Sequence, residues 1–261
     1  MTPLRIVIRT CAPWETMTHE SFAAQKEFWT PYRFVQKTKS LITIWEQATG
    51  VSYFRYRGMI RDKCENLIRS IGLPVTVGVP KVNWDSEDEF LIPVDDDDVL
   101  YPSVRSIVDA ISSKTNIVIW NRVTNHLGKT RNEKHSRGFL DTCNWAIRKS
   151  FLKQFTQVER DTVLAKHWIA ASVLEVKLGG KPKKKVDLLS RAVAMTVVRT
   201  EGVILKHPSI VQLNECHSVY YLHSGSISFL GHKMKDEAVK EDPIEYFRKL
   251  PLHPLVQHAQ S

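Results

Sequence analysis

Residues 95–98 are four consecutive aspartates closing the apolar run Phe90-Leu91-Ile92-Pro93-Val94. Nothing polar interrupts that run, which predicts a strand buried on both faces. Two unit charges about 4 Å apart repel by about 4 kcal/mol at an effective dielectric near 20. Four carboxylates at the edge of a core therefore require a cation. If the strand continues through them, Asp95 and Asp97 share one side and Asp96 and Asp98 the other. Oxygen ligands grouped at a strand's carboxyl end suit a hard divalent ion such as Mg²⁺ or Mn²⁺. The alternative is a solvated acidic loop. The buried strand before it and Val99-Leu100-Tyr101-Pro102 after it weigh against that alternative.

The elements that must position this cluster follow from periodicity. Leu4 to Thr10 predicts a first strand, Glu20 to Phe28 a short helix and Ser40 to Trp45 a second strand. Cys64, Leu67, Ile68 and Ile71 recur at helical spacing, predicting a helix over Arg61–Ile71 that Gly72 terminates. Val75 to Val79 is a third strand candidate. A helix from Ser103 to Ser112 opens after Pro102, and a strand covers Asn116 to Val123. Asn125 to Arg137 is polar, basic and aperiodic, hence a loop. Trp145–Phe155 and Arg160–Val176 have helical patterns, Leu188–Val198 is amphipathic, and Val219–Phe229 has strand character. Strands alternating with helices through the first ~120 residues predict a mostly parallel sheet with helices on both faces. Ligands of such sheets bind at the carboxyl ends of the strands, where Thr10 and Asp95–Asp98 would lie.

The chain has 261 residues, 43% hydrophobic and 25% charged, which suffices for a full core and argues against wholesale disorder. No apolar run approaches ~18 residues, and the N-terminal apolar stretch is short for a signal peptide, so a cytoplasmic location is expected. The four cysteines, Cys11, Cys64, Cys143 and Cys216, show no CxxC spacing, which argues against a zinc site or a disulfide framework and fits a reducing compartment. The formal net charge is +9 although carboxylates crowd 85–98. The remaining surface therefore attracts polyanions such as nucleic acid, anionic lipid or nucleotide phosphate.

The motifs resemble those of GT-A nucleotide-sugar-dependent glycosyltransferases over about residues 4–230. FLIPVDDDDVLYP resembles the segment that carries the DxD motif of that class. RDKCENLIRSIG stands where the class has a helix with a basic or Asn residue near the nucleotide, which would be Arg61. DTCNWAIRKSFL resembles the segment that shapes the acceptor side, implicating Asn144, Trp145 and Arg148. YYLHSGSIS resembles the C-terminal motif whose histidine is often a metal ligand. The resemblance implies one GT-A-like, Rossmann-type α/β domain. Its nucleotide-sugar half would be 1–123, its acceptor half 124–240, with a tail at 241–261. It also implies a UDP-sugar donor held with Mn²⁺ or Mg²⁺. Asp97 would bind the metal and Asp98 a second-shell position or a water. His223 would complete the metal site. Asp95 would lie by the ribose or base, with Asp96 and Thr10 also on the donor side.

A divalent ion would act as Lewis acid for the departing diphosphate. If the reaction inverts, a base must take the acceptor's proton. The class supplies an acidic residue shortly after the acceptor segment, and here no Glu-Asp pair follows NWAIRKS. Asp161 is the candidate, with His167 and Glu159 as alternatives. The basic loops 129–137 and 177–185, the second with five lysines in nine residues, point to an anionic acceptor. Lys183, Lys184 and Lys185 would contact it. One concrete acceptor is a hydroxymethylated pyrimidine in DNA, as in the genome disguise of bacteriophages. A surface or lipid-linked glycan is the competing one. The aspartates would also suit two-metal nuclease or nucleotidyltransferase chemistry. The glycine-free RTCAPWETMTHE after the first strand ranks that lower. A non-catalytic nucleic-acid-binding protein would have no use for a buried acidic strand.

Overall fold

The computed structural model describes residues 2–10, 13–29, 32–126, 129–133, 140, 143–165, 170, 173–174, 176–179, 207–223 and 225–226. Among these residues the α/β fold is built on one mixed sheet of eight strands. The strands are β1 (Leu4–Arg9), β2 (Val75–Val77), β3 (Phe90–Asp95), β4 (Val99–Leu100), β5 (Ile117–His126), β6 (Lys129–Glu133), β7 (Trp145–Arg148) and β8 (Ile210–Leu222). Their order is β2-β1-β3-β7-β5-β8-β4, with β6 paired to β5. The helices are α1 (His19–Trp29), α2 (Tyr32–Thr49), α3 (Tyr53–Ser70), α4 (Ile107–Ala110), α5 (Lys149–Leu152) and α6 (Gln157–Ala165).

β1 lies parallel to both β2 and β3, and β5 is parallel to β8. The expected mostly parallel sheet is corrected to a mixed one. β7 inserts antiparallel between β3 and β5, β4 runs antiparallel to β8, and β6 to β5. The sheet must also curl. β3 and β4 are four strand spacings apart in the order, about 19 Å if flat, whereas four residues of chain reach at most about 14 Å.

The pleat sorts side chains to two faces. Leu4, Ile6, Ile8, Phe90, Ile92 and Val94 pack under α3 and α4, against Ile68, Ile71 and Ile107. Val7 and Leu91 point the other way, toward Phe151, Leu152, Val163 and Leu164 of α5 and α6. Arg9 and Asp95, in register on β1 and β3, continue this second face by alternation. A separate aromatic cluster joins Trp14, Phe22, Trp45, Tyr53, Phe54 and Tyr56 to Val99 and Val219.

Several expected elements differ. Ser40–Trp45 belongs to α2, not to a strand. Its β-branched residues favour β structure locally, but burial at Thr38, Ile42 and Trp45 follows the helical repeat and packing prevails. Trp145–Arg148 is strand β7 rather than helix, buried at every residue between β3 and β5. Of the loop expected over Asn125–Arg137, residues 125–126 and 129–133 are instead strand, in β5 and β6, which pair antiparallel; 127–128 and 134–137 lie outside the described residues. The helix expected from Arg61 begins at Tyr53. The one expected after Pro102 is a 3₁₀ turn, Pro102–Ser106, leading into α4. His167, Lys183–Lys185, the 188–198 stretch and the 241–261 tail lie outside the described residues. Among the described residues no helix is long and apolar enough to cross a membrane.

Candidate functional site

β3 ends at Asp95, and the next three aspartates turn the chain, with the Asp98 amide donating to the Asp95 carbonyl at 3.1 Å. The turn overrides the expected alternation. Asp96 and Asp97 face the same partner, the guanidinium of Arg57 on α3. Arg57 Nη2 donates to Asp96 Oδ1 at 2.7 Å and Nη1 to Asp97 Oδ2. Trp14 Nε1 donates to Asp96 Oδ2 at 2.7 Å, and the guanidinium carbon lies 5.1 Å from the Trp14 ring centroid. On the other face, Arg9 Nε pairs with Asp95 Oδ1 at 2.7 Å. Three of the four carboxylates, Asp95, Asp96 and Asp97, thus pair with two arginines of the chain.

Arg57 has its place because α3 buries the stripe Tyr53, Tyr56, Arg57, Ile60, Cys64 and Ile68, spaced three and four apart. One charged residue therefore stands on an otherwise apolar face. Sequence reasoning missed it by starting the helix at Arg61. Extending the phase of Cys64 and Ile68 upstream would have revealed a buried arginine in need of acids. Arg9 was missed as well, although it ends the first strand beside the strand that carries Asp95.

β8, antiparallel to β4, carries His223 to the turn. His223 Nε2 lies 3.2 Å from Asp97 Oδ2 and 2.9 Å from Arg57 Nη1. The 223–226 turn is tied to α3 by Tyr53, whose hydroxyl donates to the Gly225 carbonyl at 2.8 Å. Gly225 is required there, since a Cβ would stand 2.5 Å from Tyr56 Cε1.

Burial pushes Asp96 up to about 6, against the pull of Arg57 and with the help of Asp97. Asp97 is equally desolvated, yet Arg57 and the His223 hydrogen bond hold it well below the usual carboxylate range. Burial lowers the His223 pKa, so the ring is neutral near pH 7. These shifts act in opposite directions. His223, depressed, contributes stability above pH ~6.5 that is lost as pH falls. Asp96, raised, contributes stability below pH ~4 that is lost as pH climbs through about 6. Replacing Asp96 by Asn removes only the second effect. Urea unfolding in EDTA should show the stability of Asp96→Asn relative to wild type improving from pH 4 to pH 7. A constant difference would mean that Asp96 is not raised.

Does a divalent ion fit Asp97 and His223? The backbone amide of Gly225 donates to His223 Nδ1 at 3.2 Å. Nδ1 thus faces a donor, and so does Nε2, which lies 2.9 Å from Arg57 Nη1, a group that can only donate. A histidine that binds metal through Nε2 carries its proton on Nδ1 and donates it to an acceptor. His223 faces a donor there instead. Arg57 Nη1 lies within hydrogen-bond distance of both Nε2 and Asp97 Oδ2, the two atoms a metal would have to bridge. Among the described residues no group of three or more His, Cys, Asp or Glu is arranged to hold a metal. As arranged, the residues do not fit the Mn²⁺ or Mg²⁺ assigned to Asp97, Asp98 and His223. Asp98 is fully buried beneath the turn.

The other expected residues are dispersed. Thr10 follows Arg9 at the carboxyl end of β1. Arg61 does not reach the aspartates: it pairs with Glu15 and with Asp62, the latter at 2.7 Å. Asn144 is buried beside β7, its carbonyl accepting from the Trp120 amide at 3.0 Å, and Trp145 is core. Arg148 lies opposite Phe90, the start of β3, five residues and about 17 Å from Asp95. There it donates to the Thr115 and Ser112 carbonyls, both at 2.7 Å, and to Asp88 at 3.1 Å. Arg148→Ala should cost about 3 kcal/mol of stability by stranding those acceptors, with donor and acceptor KM unchanged; a raised acceptor KM would return it to the site. Asp161 is half-buried on α6, and burial raises its pKa against the opposing pull of Arg160. Glu159, by contrast, is lowered: the Thr156 amide and Lys177 outweigh its burial.

No protein-family model and no curated protein matches the chain.

Proposed function

We propose that the protein is a glycosyltransferase moving a sugar from a nucleotide-sugar donor to a hydroxyl acceptor. The supporting observation is the acidic turn at the carboxyl ends of the parallel strands β1 and β3, the end where such sheets take ligands. Of the turn's ion-paired carboxylates, Asp95 is the most open, its side chain 28% exposed against 14% for Asp97 and 7% for Asp96. A carboxylate exposed to that degree can accept hydrogen bonds from ribose or sugar hydroxyls. Asp96 and Asp97, spent on Arg57, hold the turn in shape.

In the transfer, the acceptor oxygen bonds to the anomeric carbon. The bond from that carbon to the diphosphate oxygen breaks, and its electron pair leaves with the diphosphate. The acceptor's proton passes to a base. Asp161 is the proposed base. Its raised pKa makes it a better proton acceptor than an ordinary aspartate. It also rides on α6, whose Val163 and Leu164 pack on the Arg9 and Asp95 face of the sheet.

The net charge of +9 supports an anionic acceptor, and hydroxymethylated DNA is the version we propose over a surface glycan. The reading is tested by incubating the protein with a panel of nucleotide sugars and separating the products. Release of nucleoside diphosphate from one donor, accelerated by hydroxymethylated DNA, is expected. Release of nucleoside monophosphate or pyrophosphate would assign phosphoryl chemistry instead. No turnover of any donor would contradict the proposal.

A further inference from the structure

We infer that the acidic turn works without a divalent ion, because Arg57 is its built-in cation. This rests on the transferase reading for its meaning, though not for its test. Three observations carry it. Arg57 bridges Asp96 and Asp97 through separate nitrogens, taking one oxygen of each carboxylate, while the Trp14 indole takes the other oxygen of Asp96. Both ring nitrogens of His223 already face donors, Nε2 the Arg57 Nη1 at 2.9 Å and Nδ1 the Gly225 amide at 3.2 Å, which leaves no open lone pair for a metal. Arg57 also has nowhere else to go. It is 5% exposed and surrounded by Trp14, Tyr53 and Tyr56, and its Nε is already buried without a hydrogen-bond partner.

A metal entering between Asp97 and Asp96 would strand a guanidinium in that aromatic pocket. Breaking a buried pair in this way would weaken metal binding by about a hundred- to several-thousand-fold. The leaving diphosphate must then be met by cationic side chains. Arg9, at the carboxyl end of β1, is one such residue: its Nε pairs with Asp95, and its Nη1 and Nη2 are buried without a hydrogen-bond partner among the described residues. Arg57 is thus a positioning residue.

The test is Mn²⁺ binding to the full chain without nucleotide, read by the electron paramagnetic resonance of free Mn²⁺. Wild type should leave Mn²⁺ free, and its melting temperature should be the same in Mn²⁺ and in EDTA. Arg57→Met vacates the carboxylates. Its Mn²⁺ affinity should rise at least a hundredfold, and Mn²⁺ should raise its melting temperature. If that variant folds in neither condition, Arg57→Lys, which keeps a cation, should fold and leave Mn²⁺ free like wild type. Micromolar Mn²⁺ binding by the wild-type protein would overturn the inference, as would turnover lost in EDTA and restored by Mn²⁺. A protein that ignores Mn²⁺ and every nucleotide sugar would leave the metal-free turn standing and remove the transferase reading.

Discussion

Replacing Arg57 by alanine is expected to cost about 3–5 kcal/mol of folding stability, the penalty for stranding a buried charge. Asp97 is held ionised chiefly by Arg57, and Asp96 keeps only the Trp14 indole once the guanidinium is gone. The loss should be non-additive. Adding Asp97→Asn to Arg57→Ala should restore part of the stability, because the stranded charge disappears with its partner. Urea unfolding of the two single variants and the double variant measures the coupling. A cost below about 1 kcal/mol for Arg57→Ala would place the pair among solvated surface bridges and undo the description of the turn.

Asp95→Asn should lower kcat/KM by about ten- to a hundredfold, from the loss of one or two charge-assisted hydrogen bonds to the donor. Stability should fall as well, because Arg9, with its side chain 6% exposed, loses the carboxylate it pairs with. The kinetic loss is therefore read on protein shown to be folded by circular dichroism under the assay conditions. Unchanged kinetics in Asp95→Asn would mean that the donor does not lie against the carboxyl end of β3.

Long or uniform apolar runs were readable in the sequence. β1 and β3 are continuous enough to leave one interpretation, and the Cys64–Ile71 repeat marks a helix. Short mixed runs were not. Ile42-Thr43-Ile44 has the composition of a strand, and only the burial of Thr38, Ile42 and Trp45 on one side makes it helical. WAIRKSFL fits either period, and its outcome depends on a slot between β3 and β5 that local sequence does not encode. The antiparallel entry of β7 is likewise a tertiary fact, which is why alternating strands and helices suggested a more parallel sheet.

At the site, the need for a cation was legible in the four aspartates, while its identity was not. Charge repulsion says that something positive must come; it does not distinguish Mg²⁺ from a guanidinium on another helix. His223 was found through its HSGS setting, and the structure does bring it to Asp97, 126 residues away in sequence. Its role was beyond reach, because it depends on Arg57 at one ring nitrogen and on the Gly225 backbone amide at the other. Arg148 shows the opposite error. A motif placed it at the acceptor side, whereas strand register carries it to the far end of β3.

The most direct measurement is calorimetric titration of nucleotide sugars into the wild-type protein and Asp95→Asn, in EDTA. One donor should bind the wild-type protein with a stoichiometry of about one, and its affinity should fall about ten- to a hundredfold in the variant. Absence of binding by any nucleotide sugar, or binding that ignores the loss of the Asp95 charge, would contradict a donor site at the acidic turn.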